Sequence, residues 1–235
     1  MALKTPGKLN SPLPPAEFDK LPLAEWCAQF RGVFYRLHSV NPSTNKPWFP
    51  VYFSRAGKTR FDPVDGSGTF YVGETLSGVL MEIFDDMWGP VGSITRSLTR
   101  MQLQEWWVTL VAVPGVRLFE AHKGNLSRIG TDLQLLTGDY AISREWALSL
   151  GRHPHKIDGI YYPSRHDNGR CNLAIFSQRT WPRAQRDESL LPPAVNHIKR
   201  VIDDKGPMVY GPSVLLRDQP ELRTSLIELE VAIIP

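Results

Sequence analysis

A chain of 235 residues, 42% hydrophobic and 22% charged, is long enough to bury about 70% of its unfolded surface, which excludes a disulfide-stapled miniprotein and a disordered tail. Its net charge of +3, from 27 basic and 24 acidic side chains, is too small for bulk charge to argue direct nucleic-acid binding. Two cysteines without paired spacing, Cys27 and Cys171, no apolar signal stretch at the start and no apolar run of ~18 residues lead to the expectation of a cytoplasmic protein without a membrane span.

In chain order, residues 1–15 are rich in proline and polar side chains and read as a loose entry arm. AEFDKLPLAEWCAQF (16–30) reads as a short helix interrupted near Pro22. VFYRLHSV (33–40) alternates and carries branched and aromatic residues, the pattern of a strand. A proline-rich loop leads to VYFSR, a second short extended run. Next come Thr59-Arg60-Phe61-Asp62-Pro63, the turn Asp65-Gly66-Ser67-Gly68 and the strand Thr69-Phe70-Tyr71-Val72-Gly73. Leu76, Val79, Leu80, Ile83, Phe84 and Met87 then recur at helical spacing, with Thr75 placed to cap the first turn. Glu82 falls about 120° from Leu76 around that helix, so it can leave the core and face a cleft or water.

Downstream, WVTLVAV (107–113) reads as a buried strand ending at Pro114-Gly115, and VRLFEA as another. Ser143 is placed to cap a helix, REWALSL, that stops at Gly151. IDGIYYPS is a strand running into a loop at Pro163-Ser164, and NLAIFS (172–177) is its neighbour across the connection RHDNGRC. The last 55 or so residues alternate prolines with short apolar runs and read as an elaboration closing one edge of the core. Strands and helices interleave without one long helix per strand, so an α+β domain is expected rather than a doubly wound parallel sheet.

Familiar chemical signatures are missing. His153-Pro154-His155 has no partner at metal-ligand spacing and reads as a polar loop. There is no GxxxxGK[ST] loop, no GxGxxG opening a helix and no GxSxG elbow around Ser164. What remains is a set of polar residues at strand ends and on one helix: Arg36, Arg60, Tyr71, Glu82 and Ser164.

Their order carries a resemblance. Arg60-Phe61, then Tyr71, then Glu82, then Pro163-Ser164 and Asn172 within DGIYYPSRHDNGRCNLAIF resemble the RES-domain family, named for its arginine, glutamate and serine. Tyr35-Arg36-Leu37 is similar to the family's opening Tyr-Arg strand. The likeness runs over roughly 33–178, with two departures: Thr59 stands where glycine is common, and the long step from Glu82 to Ser164 suggests an insertion around 88–135. The expected organisation is therefore an arm and short helix (1–30), a RES domain (31–180) and a C-terminal extension packed on the core (181–235).

The resemblance implies a single domain with an ADP-ribosyltransferase-like mixed β core and peripheral helices. It implies a toxin-like enzyme that splits NAD⁺ between nicotinamide and ribose, by hydrolysis or phosphorolysis. NAD⁺ would be a substrate, no cofactor would be needed, and inorganic phosphate is a candidate co-substrate. An Xre-type antitoxin would be the partner, and a homo-oligomer is open. Glu82, Arg60 and Ser164 would be catalytic: Glu82 holds the ribose hydroxyls and stabilises the cationic transition state, and Arg60 grips the pyrophosphate with Arg36. Tyr71 would stack on nicotinamide or close the pocket, and Ser164 and Asn172 would orient substrate by hydrogen bonding. Two other readings stay open: ADP-ribosylation of a macromolecule, and a catalytically silent RES-like binding module.

Overall fold

Two strands of 15 residues each, β1 (Cys27–Asn41) and β5 (Trp106–Glu120), frame the fold. The structure, a computed structural model, describes residues 12–88, 96–122, 124–164, 167–191 and 206–235. The first eleven residues of the expected entry arm and the side chain of Met87 lie outside the described residues. In chain order β1 is followed by β2 (Lys46–Pro47), β3 (Thr69–Gly73) and the helix α1 (Leu76–Trp88). Then come β4 (Ser97–Thr99), α2 (Arg100–Glu105), β5, and the helices α3 (Asn125–Arg128), α4 (Gln134–Thr137) and α5 (Tyr140–Arg152). β6 (Gly159–Ser164), β7 (Asp167–Phe176), β8 (Gln185–Arg186), β9 (Val209–Tyr210), β10 (Val214–Leu215), α6 (Leu222–Glu228) and β11 (Ala232–Ile234) complete the order.

The ladders close on themselves. β1 pairs antiparallel with β3, β3 with β7, and β7 with β6; β6 runs parallel to β5, and β5 returns to β1 along a long antiparallel register. Strand alternation then assigns the faces. Phe70 and Val72 of β3 join Leu173 and Ile175 of β7, Phe34 of β1 and four β5 side chains in an inner apolar cluster. The opposite faces meet helices. Ile160, Tyr162, Ala174 and Phe176 pack with α5 through Trp146, Ala147 and Leu150. Tyr35 and Leu37 of β1 pack with α1 and with Leu222 and Leu226 of α6. This mixed α+β architecture is the one expected.

Several local expectations change. Residues 16–30 form two 3₁₀ turns, Phe18–Lys20 and Leu23–Trp26, and from Cys27 onward the chain is already strand. Pro114-Gly115 does not end a strand: β5 runs through it, and the pairing shifts there, with Gly32 opposite Val113 but Phe30 opposite Val116. A bulge tolerates proline because it leaves a backbone group unpaired anyway, so two expected strands are one bent strand. Along α1, Met81 is buried and Ile83 is 37% exposed, the reverse of the expected stripe at those two places, while Leu76, Val79, Leu80 and Phe84 are buried as expected. The cap of α5 is Asp139, whose carboxylate accepts from Ala141 N, and Ser143 lies inside the helix with its hydroxyl donating to Leu135 O at 2.8 Å. β7 begins at Asp167, so part of the supposed RHDNGRC connection is strand.

Residues 88–135, expected as an insertion, contain β5, paired with β1 over most of its length; much of this span is core. In the C-terminal part, β9 and β10 pair with β5 and α6 packs on α1. Among the described residues no helix is long and apolar enough to cross a membrane.

Candidate functional site

Alternation along three adjacent strands sets the site. Tyr71 on β3, Asn172 on β7 and Tyr162 on β6 point to the helix-covered face, opposite the inner cluster formed by their neighbours. α1 lies over that face, and Gly73 permits the approach. A Cβ at Gly73 would fall 2.5 Å from Val79 Cγ1 and 2.6 Å from Asn172 Oδ1. Thr75 caps the helix as expected, its hydroxyl accepting from Gly78 N at 3.0 Å. Two turns into α1, Glu82 reaches the strands: Tyr162 OH donates to its Oε1 and Asn172 Nδ2 to its Oε2, both at 3.4 Å.

These residues surround a small cavity of about 30 Å³, lined by Arg36, Leu37, Tyr71, Val72, Val79, Glu82, Ile83, Tyr162 and Asn172. It lies at the seam between the cluster under α1 and the cluster under α5. Arg36 occupies one wall, with Nη1 donating to Tyr71 O at 2.8 Å and Cζ 5.4 Å from the centre of the Phe70 ring. Burial of its guanidinium pushes its pKa down to about 10, which still leaves it cationic at neutral pH. Asn172 Oδ1 and Arg36 Nε are buried without a hydrogen-bond partner. Two orphaned polar atoms on residues that line one cavity are the kind of cost that a bound polar group offsets.

Arg60 is placed differently from the expectation that it would join Arg36 in gripping a ligand. It is 7% exposed, donates from Nη1 to Gly138 O at 2.8 Å and lies over the Tyr140 ring at 4.4 Å. It is seated on the junction of α4 and α5, outside the lining of the small cavity, and its charge acts on the Tyr162 hydroxyl. Tyr71 is anchored at its far end. Its hydroxyl accepts from Phe61 N at 2.9 Å and lies 2.8 Å from Thr59 Oγ1, so only the ring side faces the cavity. Asp62 completes the anchor, accepting from Lys58 N, Thr59 N and Thr59 Oγ1, and Arg144 Nε donates to Thr59 O at 3.0 Å. The loop holding Arg60 is thus tied down from three directions. Ser164 is fully buried at the end of β6 and does not line the cavity.

The structure brings together Arg36, Tyr71, Glu82 and Asn172, keeps Arg60 at the next layer and leaves Ser164 beyond the lining. Sequence reasoning missed Tyr162, which touches Glu82 directly. The signal was present: within IYYPS, Tyr162 is two residues before Ser164, hence on the same strand face. Burial holds the Tyr162 hydroxyl well above the usual tyrosine range, and the Glu82 charge adds to the effect, so it remains a proton donor. His153 and His155 serve the local fold. His153 Nε2 lies 3.2 Å from Phe18 O, and His155 Nδ1 accepts from Ala24 N. Among the described residues no group of three His, Cys, Asp or Glu side chains could hold a metal ion.

A family model described as the RES domain matches residues 33–195. Among solved structures, a chain from the crystal structure of the M. tuberculosis MbcT–MbcA toxin–antitoxin complex superposes with a TM-score of 0.56 at 11% identity, covering 89% of this chain and 98% of that one. No match is found among curated proteins.

Proposed function

The chain belongs to the RES-domain family, and from that premise we propose that it cleaves NAD⁺ at the nicotinamide–ribose bond, with Glu82 as the carboxylate at the reacting centre. The observation that carries this reading is the seat of Glu82: one carboxylate, held by Tyr162 and Asn172 across a cavity whose far wall is the buried cation Arg36.

Departure of nicotinamide turns a cationic ring into a neutral molecule and leaves positive charge on the ribose, as in glycoside cleavage. The leaving group needs no proton, so one carboxylate suffices. Glu82 stabilises the developing charge and accepts hydrogen bonds from the ribose hydroxyls; Tyr162 and Asn172 hold it in one rotamer, so little reorganisation is needed as the charge forms. Arg36 supplies the positive potential that favours a diphosphate nearby. Arg60 acts through position and field, from behind Tyr162. Ser164, buried at the end of β6, supports the strand that presents Tyr162. At about 30 Å³ the cavity takes a water-sized group, so Ile83 at its exposed rim turns aside to admit the ribose.

The reading also extends to a partner. The solved relative comes from a toxin–antitoxin complex, and we take an antitoxin that covers the Glu82 cavity as the partner of this chain. The acceptor is water or inorganic phosphate.

Purified protein incubated with NAD⁺ should release nicotinamide, with ADP-ribose as co-product if water is the acceptor and its 1-phosphate if phosphate is. Glu82→Gln should lower that rate by ~100-fold or more, as loss of a preorganised electrostatic group does. Its melting temperature should hardly move, because Glu82 is only half-buried. Folded protein, free of inhibitor, that releases no nicotinamide would overturn the proposal.

A further inference from the structure

A second and larger concavity, about 1330 Å³, opens at the other end of the same strands. It is lined by residues next to Phe30 on β1, by Asp158 just before β6 and by Gln178 just after β7, whereas the Glu82 cavity meets these strands at Arg36, Tyr162 and Asn172. At ~3.3 Å per residue the two are roughly 15–20 Å apart. We propose that this groove binds a chain of phosphates.

Charge is the first argument. Arg31, Arg117, Arg152, Lys156 and Arg179 line the groove and come from four separate stretches of chain, against a single lining carboxylate, Asp158. That carboxylate is already engaged, accepting from Arg117 N at 2.8 Å and lying 3.4 Å from Arg179 Nη1. Arg152 is paired with Asp65 at 2.9 Å. Arg117 and Arg179 are aimed by backbone carbonyls, donating to His155 O and Gly115 O at 3.0 Å each. A carbonyl orients a guanidinium without cancelling its charge, and five lining cations outnumber Asp158 and Asp65, so the groove keeps a positive potential.

Backbone conformation is the second, independent argument. Lys156 has φ +53°, in the left-handed region that glycine or asparagine adopts more readily. A strained position held by a long cation, at the lip of a basic groove, is where strain commonly serves binding. The turn is fixed by Lys156 N donating to His153 O at 2.9 Å. The groove also exceeds the ~300–1,000 Å³ that suits one small molecule, which favours an extended ligand over a single nucleotide. Phe30 lines it and is stacked on Tyr161 at 4.3 Å, which puts an aromatic ring in the groove wall, the kind of surface a base stacks on. The phosphate chain can come from single-stranded nucleic acid or from inorganic polyphosphate. This inference does not rest on the NAD⁺ reading.

Fluorescence anisotropy with a labelled single-stranded RNA of about 12 nucleotides, competed by inorganic polyphosphate, tests it across ~50–200 mM salt. Both ligands should compete for one site, and log affinity should fall with log salt at a slope of roughly −3, as for four or five contacts on a single strand. The double variant Arg31→Glu/Lys156→Glu changes two exposed side chains. It should weaken binding at least tenfold and leave the melting temperature and any nicotinamide release unchanged. Phe30→Ala separates the sources: RNA weakened with polyphosphate unaffected assigns a nucleic acid, and equal effects assign the phosphate chain alone. No binding tighter than roughly 100 µM at low salt, unchanged affinity in the double variant, or equally tight binding of a poly-glutamate peptide would each overturn the proposal.

Discussion

Glu82 illustrates how a surface-prone side chain becomes a site. Helical spacing alone moved it off the apolar stripe, and its two strand-borne partners give it a fixed direction. Tyr162→Phe removes one of them while keeping the ring packed against Phe61. Loss of a group that preorganises the carboxylate should slow nicotinamide release by roughly ten- to a hundredfold, and the lost hydrogen bond to a charged group should lower stability by up to about 1.5–3 kcal/mol; an unaltered rate would show that Tyr162 only packs. His38 makes the second residue-scale case. It is buried on β1, with Nε2 2.8 Å from Thr109 Oγ1, and burial together with the Arg36 charge pushes its pKa down to about 3. The unfolded chain, near 6.5, then binds a proton that the folded chain refuses. Stability is fully present above about pH 6.5 and is lost as pH falls from there towards about 3, by up to ~1.4 kcal/mol per pH unit. Urea melts between pH 4 and 7 should show a shallower acid limb for His38→Gln than for the parent; parallel curves would refute the assignment.

Elements carry the next layer of control, because each site residue inherits its position from a strand register or a cap. Asp139 starts α5, and the adjacent Gly138 O and Tyr140 ring hold Arg60. Asp139→Ala should cost about 1 kcal/mol, a drop of ~2–4 °C in melting temperature for a chain of this size. It should also slow turnover by loosening the seat of Arg60; a normal rate would place Arg60 outside the working site. β3, α1, β6 and β7 were legible in the sequence because alternation and helical spacing are local signals. Pro114-Gly115 was read as a stop because a proline usually ends a ladder, whereas the antiparallel partner β1 accommodates it in a bulge. The same locality explains the error over Ile83 and Met81. A hydrophobic stripe assumes one packing direction, but α1 packs against β1 and α6 together, which widens the buried arc to take in Met81, while Ile83 is left exposed beside the cavity.

At the scale of the whole molecule, the C-terminal part is structural mass for the site rather than an appendage. Leu222, Leu226 and Leu229 join the cluster under α1, and Tyr35 OH donates to Glu221 from β1. Leu226→Ala, at a side chain 3% exposed, should destabilise the protein by about 2–4 kcal/mol and lower the activity of the remaining folded fraction by letting α1 drift from the strands. A loss under about 1 kcal/mol in denaturant melts would mean that α6 is dispensable. Order and identity of Arg36, Arg60, Tyr71, Glu82, Ser164 and Asn172, and the α+β class, were decided by the sequence alone, because they rest on local periodicity and on the succession of residues along one chain. Tertiary structure decided which of them meet. Tyr71 turned its hydroxyl to the Thr59–Asp62 loop, Arg60 withdrew onto Tyr140, and Tyr162 entered beside Glu82, since cross-strand register and helix approach are set by packing between segments far apart in sequence.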